Sequence, residues 1–137
     1  GDVTADLFAS TTGSDAAWVV NLIDVYPPDG PKAGYQLMVA EEIFRGRYLR
    51  SFEHPKGLTP GAVNEFKWSL HGVDHTFLKG HRMMVEVQST WFPLYDRNPQ
   101  TFVPNIMRAP QGAYKKETMT IYGSAEWPSH LDVDVAR

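Results

Sequence analysis

The chain contains no cysteine, so it has neither a disulfide framework nor a thiol nucleophile. That absence leaves the compartment open, since many exported proteins manage without disulfides. Long apolar runs are missing as well. The longest is Ala16-Ala17-Trp18-Val19-Val20, far short of the ~20 residues a spanning helix needs, and no membrane is expected as a partner. Neither sign of charge dominates: 13 basic and 16 acidic side chains are interspersed to a net charge of −3. Without a basic field to collect phosphates, nucleic acid is not an expected partner either. None of the seven serines lies in a G-x-S-x-G elbow, the strand-to-helix turn that exposes a hydrolase nucleophile. Gly13-Ser14-Asp15 comes nearest and lacks the second glycine, so a complete Ser-His-acid triad is not expected. The opening Gly1-Asp2-Val3-Thr4 has neither a basic region nor an apolar signal core and reads as if cut from something longer.

What is present is period-two alternation broken by proline and glycine. Val3, Ala5, Leu7 and Ala9 alternate with Thr4, Asp6, Phe8 and Ser10, predicting a first strand that ends in Thr11-Thr12-Gly13-Ser14-Asp15. Trp18 to Tyr26 is apolar on both faces, as a central strand requires. Tyr35 to Ile43 predicts a third strand, with Tyr35, Leu37, Val39 and Ile43 facing in, Gln36, Met38, Ala40 and Glu42 facing out, and Glu41 an exception on the buried side. A long connection rich in turn signals, Ser51 to Gly61, leads to a strand over Val63 to Leu70 carrying Phe66, Trp68 and Leu70 on one face. In Arg82 to Ser89, Met83, Val85 and Val87 are expected to face the core. After an irregular Phe102 to Lys116, Thr118 to Ser124 and His130 to Val135 complete the set. With 42% hydrophobic residues in 137, the chain is expected to form one domain over residues 1–137. Its class is all-β: a jelly-roll β-sandwich of about eight strands, galactose-binding-domain-like in architecture.

Candidate chemistry is sparse. His71 and His75 would share a metal only on a helix, and the segment reads as a turn, so solvated loop histidines are expected. His81 reads as a hydrogen-bonded structural residue. Asp15, Asp24 and Asp29 lack calcium-loop spacing and read as turn formers. No metal and no cofactor are expected. Arg45, Arg47 and Arg50 could hold a carboxylate or phosphate, or pair internally with Glu41, Glu42, Glu53 or Asp96. For Arg45 and Arg47 internal ion pairs are expected, pinned under the Tyr95-Asp96-Arg97 loop. The densest loop, Trp91 to Thr101, holds three aromatic rings, Trp91, Phe92 and Tyr95, together with Pro93 and Pro99. Trp91, Phe92, Tyr95, Asp96 and Arg97 are the candidate interface or cleft-bordering residues, with Phe92 turned inward and Trp91 or Tyr95 toward a partner.

These motifs carry a family resemblance. Phe77, Gly80-His81-Arg82 and Phe92-Pro93-Leu94-Tyr95-Asp96-Arg97-Asn98-Pro99-Gln100-Thr101 resemble a run in the C-terminal domain of one group of serine hydrolases. That group includes cocaine esterase, X-Pro dipeptidyl-peptidase and glutaryl-7-aminocephalosporanic acid acylase, and the α-amino acid ester hydrolases are its nearest branch. Trp18 to Pro27, Ile43 to Tyr48 and Pro128 to Leu131 are similar to further family motifs. Ala17, Asn21 and Gly123 depart from the pattern. The resemblance implies a noncatalytic β-sandwich that packs on an upstream α/β-hydrolase catalytic domain and borders its cleft, with room for homo-oligomers. It also implies an edge strand upstream of Gly1 and favours a periplasmic or secreted location. An independent carbohydrate- or ligand-binding module is the alternative reading, resting on fold analogy.

Overall fold

In the computed structural model, which describes residues 1–136, two antiparallel sheets face each other. The strands are β1 (Asp2–Thr11), β2 (Ala17–Val25), β3 (Gln36–Arg45), β4 (Asn64–Gly72), β5 (Arg82–Gln88), β6 (Met119–Ile121) and β7 (His130–Val133). One sheet runs β4-β1-β6, with β7 also on β1; the other runs β3-β2-β5. The β1–β2, β3–β4, β4–β5 and β5–β6 connections all cross from one sheet to the other, giving the β-sandwich that the alternation predicts. β6 and β7 are two halves of one line along β1, the first paired with Ala9–Thr11 and the second with Val3–Asp6. Residues 122–129 loop out between them and are tied back by Tyr122 N–H to the Phe8 carbonyl (2.9 Å) and Phe8 N–H to Ser129 Oγ (2.9 Å).

The core forms where the alternating faces meet. Val3, Ala5, Leu7 and Ala9 of β1 and Phe66, Trp68 and Leu70 of β4 pack on Trp18, Val20 and Leu22 of β2. The Trp18 and Phe66 rings lie 5.6 Å apart. Each of the larger of these side chains, withdrawn from water, contributes about 1.5–3 kcal/mol. Every residue of β2 is buried, because β3 and β5 flank it; this is the physical content of its two-faced apolarity.

Two strands depart from the expected faces. In β3 the register passes from Leu22↔Ala40 to Ile23↔Met38, leaving Val39 as an extra residue. A bulge of one residue inverts the parity of everything after it. Ala40 and Phe44 therefore join the core while Glu41 is exposed on the other face, so it is no exception at all. In β5, Met83 and Val85 pair with Asp24 and Leu22 on the inward-facing side, yet they are 56% and 46% exposed. The sandwich is closed where β3 meets β4, with Phe44 and Trp68 rings 5.6 Å apart. Along β5 it stays open, and the outer edge of β5 has no strand partner among the described residues.

One charge is buried at the far end of this core. Asp24, which a turn-former reading places in a loop, sits inside β2 at 1% exposure. Its carboxylate accepts hydrogen bonds from His75 Nε2 (2.9 Å) and His81 Nδ1 (2.8 Å), both on the β4–β5 connection; an ionised carboxylate has only acceptors, so each imidazole nitrogen donates. His81 also packs 4.4 Å from the Tyr26 ring. His75 is thus a clamp on a buried acid rather than a solvated loop residue, whereas His71 is exposed and goes to Glu42 (2.8 Å). Burial of Asp24 opposes its charged form, but the hydrogen bonds and charges of the two histidines outweigh it and hold its pKa below the ordinary 3.8.

A depressed carboxylate stabilises the fold above its unfolded value and loses that contribution as pH falls through its folded value. Asp24→Asn is expected to cost about 3 kcal/mol at pH 7. In chemical denaturation at a series of pH values, the stability that Asp24's charge contributes to the gap between wild type and variant should be lost as pH falls below the ordinary value of 3.8.

Candidate docking surface

Three connections meet at the end of the sandwich opposite Asp24: the β1–β2 turn, the β3–β4 connection and the long β5–β6 connection. They are held by a buried ion pair. The strand ends at Arg45 because Gly46–Tyr48 turns into one short 3₁₀ segment, and this aims Arg47 back at the β1–β2 turn. Its guanidinium donates from Nε to Asp15 Oδ2 at 2.8 Å, and Nη2 completes the ion pair 2.8 Å from the same oxygen, with Arg47 4% and Asp15 0% exposed. Nη2 also reaches the Val103 carbonyl at 2.8 Å, and the Phe102 ring lies 4.8 Å from the guanidinium carbon. Asp15 Oδ1 takes the Ala16 N–H, so both carboxylate oxygens are used.

Backbone bonds complete the knot. Ser14 and Asp15 donate N–H groups to the Gln100 carbonyl, Leu58 to Ser14 and Lys56 to Arg47. Ser14 Oγ accepts from Phe102 N–H at 2.9 Å. Gly13 is required by close approach, since a Cβ there would run into the Gln100 carbonyl.

The Trp91–Thr101 loop rests on this base. Arg45 donates Nη2 to the Asp96 carbonyl (3.2 Å) and forms no ion pair among the described residues. Arg47 thus forms the internal ion pair expected of it, with Asp15 rather than any of the four carboxylates anticipated, whereas Arg45 holds main chain. Tyr95 N–H bonds the Trp91 carbonyl at 3.0 Å, and the two rings sit 5.8 Å apart. The Tyr95 hydroxyl donates to Glu42 at 3.3 Å; burial, together with the Glu42 charge, pushes its pKa upward. Asn98 and Pro99 are buried, with Asn98 Oδ1 accepting the Gln100 N–H at 2.8 Å.

Phe92 takes the opposite orientation from the one expected. It is 59% exposed, with the Arg97 guanidinium 4.9 Å from its ring centroid, while Trp91 and Tyr95 are half-buried. The Phe92–Pro93 peptide is cis. Leu94 is 66% and Met107 78% exposed, so the loop end presents apolar side chains from more than one segment. Leu94 and Met107 escaped the sequence reading, because an isolated Leu or Met in a loop has no periodicity to betray which way it points. Asp15 was legible only in part: a buried guanidinium demands a counter-charge, but spacing does not say which.

The fold and these surfaces define an antiparallel β-sandwich whose loop end presents apolar side chains to solvent. The matching family model covers residues 1–132 and is described as the X-Pro dipeptidyl-peptidase C-terminal non-catalytic domain; the chain belongs to this family. It is 35% identical over all 137 residues to cocaine esterase of Rhodococcus sp. (strain MB1 Bresler), of which it spans 23%. It also superimposes on the solved structure of an aminopeptidase from the marine sediment archaeon Thaumarchaeota archaeon. There the TM-score is 0.92 at 55% identity, over 96% of this chain and 22% of that one. An α-amino acid ester hydrolase matches with TM-score 0.92 at 52% identity, again over 96% of this chain and 22% of the other. The chain thus spans less than a quarter of the length of these relatives.

Removing Arg47 while leaving Asp15 strands a buried charge, which costs about 3–5 kcal/mol. Arg47→Met should therefore lower the urea midpoint strongly, whereas Arg45→Met should cost about 1 kcal/mol, the worth of one hydrogen bond. Equal losses in the two variants would contradict the ranking.

Proposed function

We propose that this domain packs through its loop end against an α/β-hydrolase catalytic domain of the same polypeptide, where it borders the substrate cleft of a serine acyl hydrolase and supplies no catalytic group. The observation that carries this reading is the outward display of Phe92, Leu94 and Met107 on a loop end fixed by a buried ion pair. Apolar side chains rigidly presented to water cost solvation and contribute binding when a dry neighbour covers them, at about 25 cal/mol per Å². Trp91, Tyr95, Asp96 and Arg97 shape the rim around them. The relatives are several times longer than this chain and are named as an esterase, an aminopeptidase and an ester hydrolase, which supports a hydrolase as the neighbour. The open edge of β5 supports a second contact with the longer chain, in which a further strand would pair with its free main-chain groups.

In a longer polypeptide carrying the hydrolase domain, Phe92→Ser with Leu94→Ser is expected to lower kcat/KM several-fold or to split one thermal transition into two. In the 137-residue chain the same exposed positions should shift stability by only about 0.5 kcal/mol. Unchanged kinetics alongside a large stability loss in the short chain would show that the loop is core and not interface. The chain alone is expected to hydrolyse no aryl ester above the buffer rate.

A further inference from the structure

The β3–β4 connection folds back on itself over a small polar pocket, separate from the Trp91–Thr101 loop. Its volume is about 210 Å³, and Arg47, Arg50, Lys56, Thr59 and Asn64 are among its lining residues, with Gly46 and Gly57 on its wall. Three cations and no acidic residue line it. They are not equivalent. Arg47 is neutralised by Asp15, so it contributes shape rather than free charge. Arg50 and Lys56 are exposed and form no ion pair among the described residues.

Arg50 and Lys56 both line this one concavity, in a chain where acidic side chains outnumber basic ones. Their convergence is enforced by backbone. Lys56 N–H bonds the Arg47 carbonyl at 3.0 Å and Leu58 N–H the Ser14 carbonyl at 2.9 Å, which holds the 56–58 segment against the 46–50 segment. A Cβ at Gly46 would meet Leu58 Cδ1 at 2.7 Å, so a larger residue there would have to displace that side chain. Asn64 Nδ2 is spent on the Ala62 carbonyl at 3.0 Å, and Thr59 lines the pocket beside it.

We propose that this pocket binds a compact oxyanion, a carboxylate or phosphate group held by Arg50 and Lys56. Planar guanidinium donors match the two oxygens of such a group, and the ammonium adds a point charge. The pocket is too small for a long polymer. The oxyanion comes either from a free small molecule or from an acidic side chain of a neighbouring domain. The proposal does not rest on the docking of the Phe92 loop and can fail without it.

The test titrates the 137-residue chain with inorganic phosphate and with succinate, each against chloride at matched low ionic strength, following backbone amide signals. Saturable shifts at Gly46, Gly57 and Thr59 are expected. Arg50→Gln with Lys56→Gln should weaken binding about tenfold or more, two charge-assisted contacts being lost, without moving the anion-free melting temperature. Shifts no different from chloride, or undiminished binding in the double variant, would overturn the proposal. Repeating the titration on a longer polypeptide with its hydrolase domain separates the sources. Retained binding there identifies a free anion, and binding lost there but present in the short chain identifies a carboxylate of the neighbouring domain.

Discussion

A guanidinium and a carboxylate withdrawn from water must satisfy each other or be expelled, and the loop end of this domain depends on Asp15 and Arg47 doing so. Desolvating two ions is costly, so the pair is no simple gain in stability. Its effect is directional. Arg47 accepts only one arrangement in which Nε, Nη2, the Val103 carbonyl and the Phe102 ring are all in place. Three connections that would otherwise be independent are thereby held as one surface, and the side chains they display inherit that rigidity.

The two ends of the sandwich share a logic. At one, an acid on the β1–β2 turn holds an arginine; at the other, an acid inside β2 holds two imidazoles from the β4–β5 connection. In both cases a buried carboxylate fastens a distant loop to a strand that is already immobile. Between these ends the sandwich is lopsided, sealed by aromatic contacts along β3 and β4 and unsealed along β5. Met83 and Val85 on this open side, and Phe92, Leu94 and Met107 at the loop end, are among the large apolar side chains left exposed.

Much of the fold was legible because period-two alternation directly reports a half-buried strand. β1, β2 and β4 show their inner faces as the apolar positions announce. The misreadings have two physical origins. Parity along β3 was lost at Val39, since a bulge leaves no mark in hydrophobicity; and the apolar face of β5 was taken as covered when the sequence reports only which side a residue is on, not whether anything lies over it. In the candidate surface, the importance of the Trp91–Thr101 loop was visible from its prolines and rings. The inversion of Phe92 against Trp91 and Tyr95 was not, because in a loop the direction of a side chain is set by individual contacts, here with Glu42 and Arg45 on β3 and with Arg97 inside the loop, that leave no periodic mark.

The division of the last strand into β6 and β7 has an evolutionary consequence. Both halves keep step with β1, while the segment between them leaves the sheet and returns, pinned at Tyr122 and Ser129 and capped by the Trp127 ring 4.9 Å from Tyr122. Length variation inside that excursion is decoupled from sheet register. Homologues can lengthen or shorten it, and a reporter or an entire guest domain can be spliced there, without displacing a single core side chain.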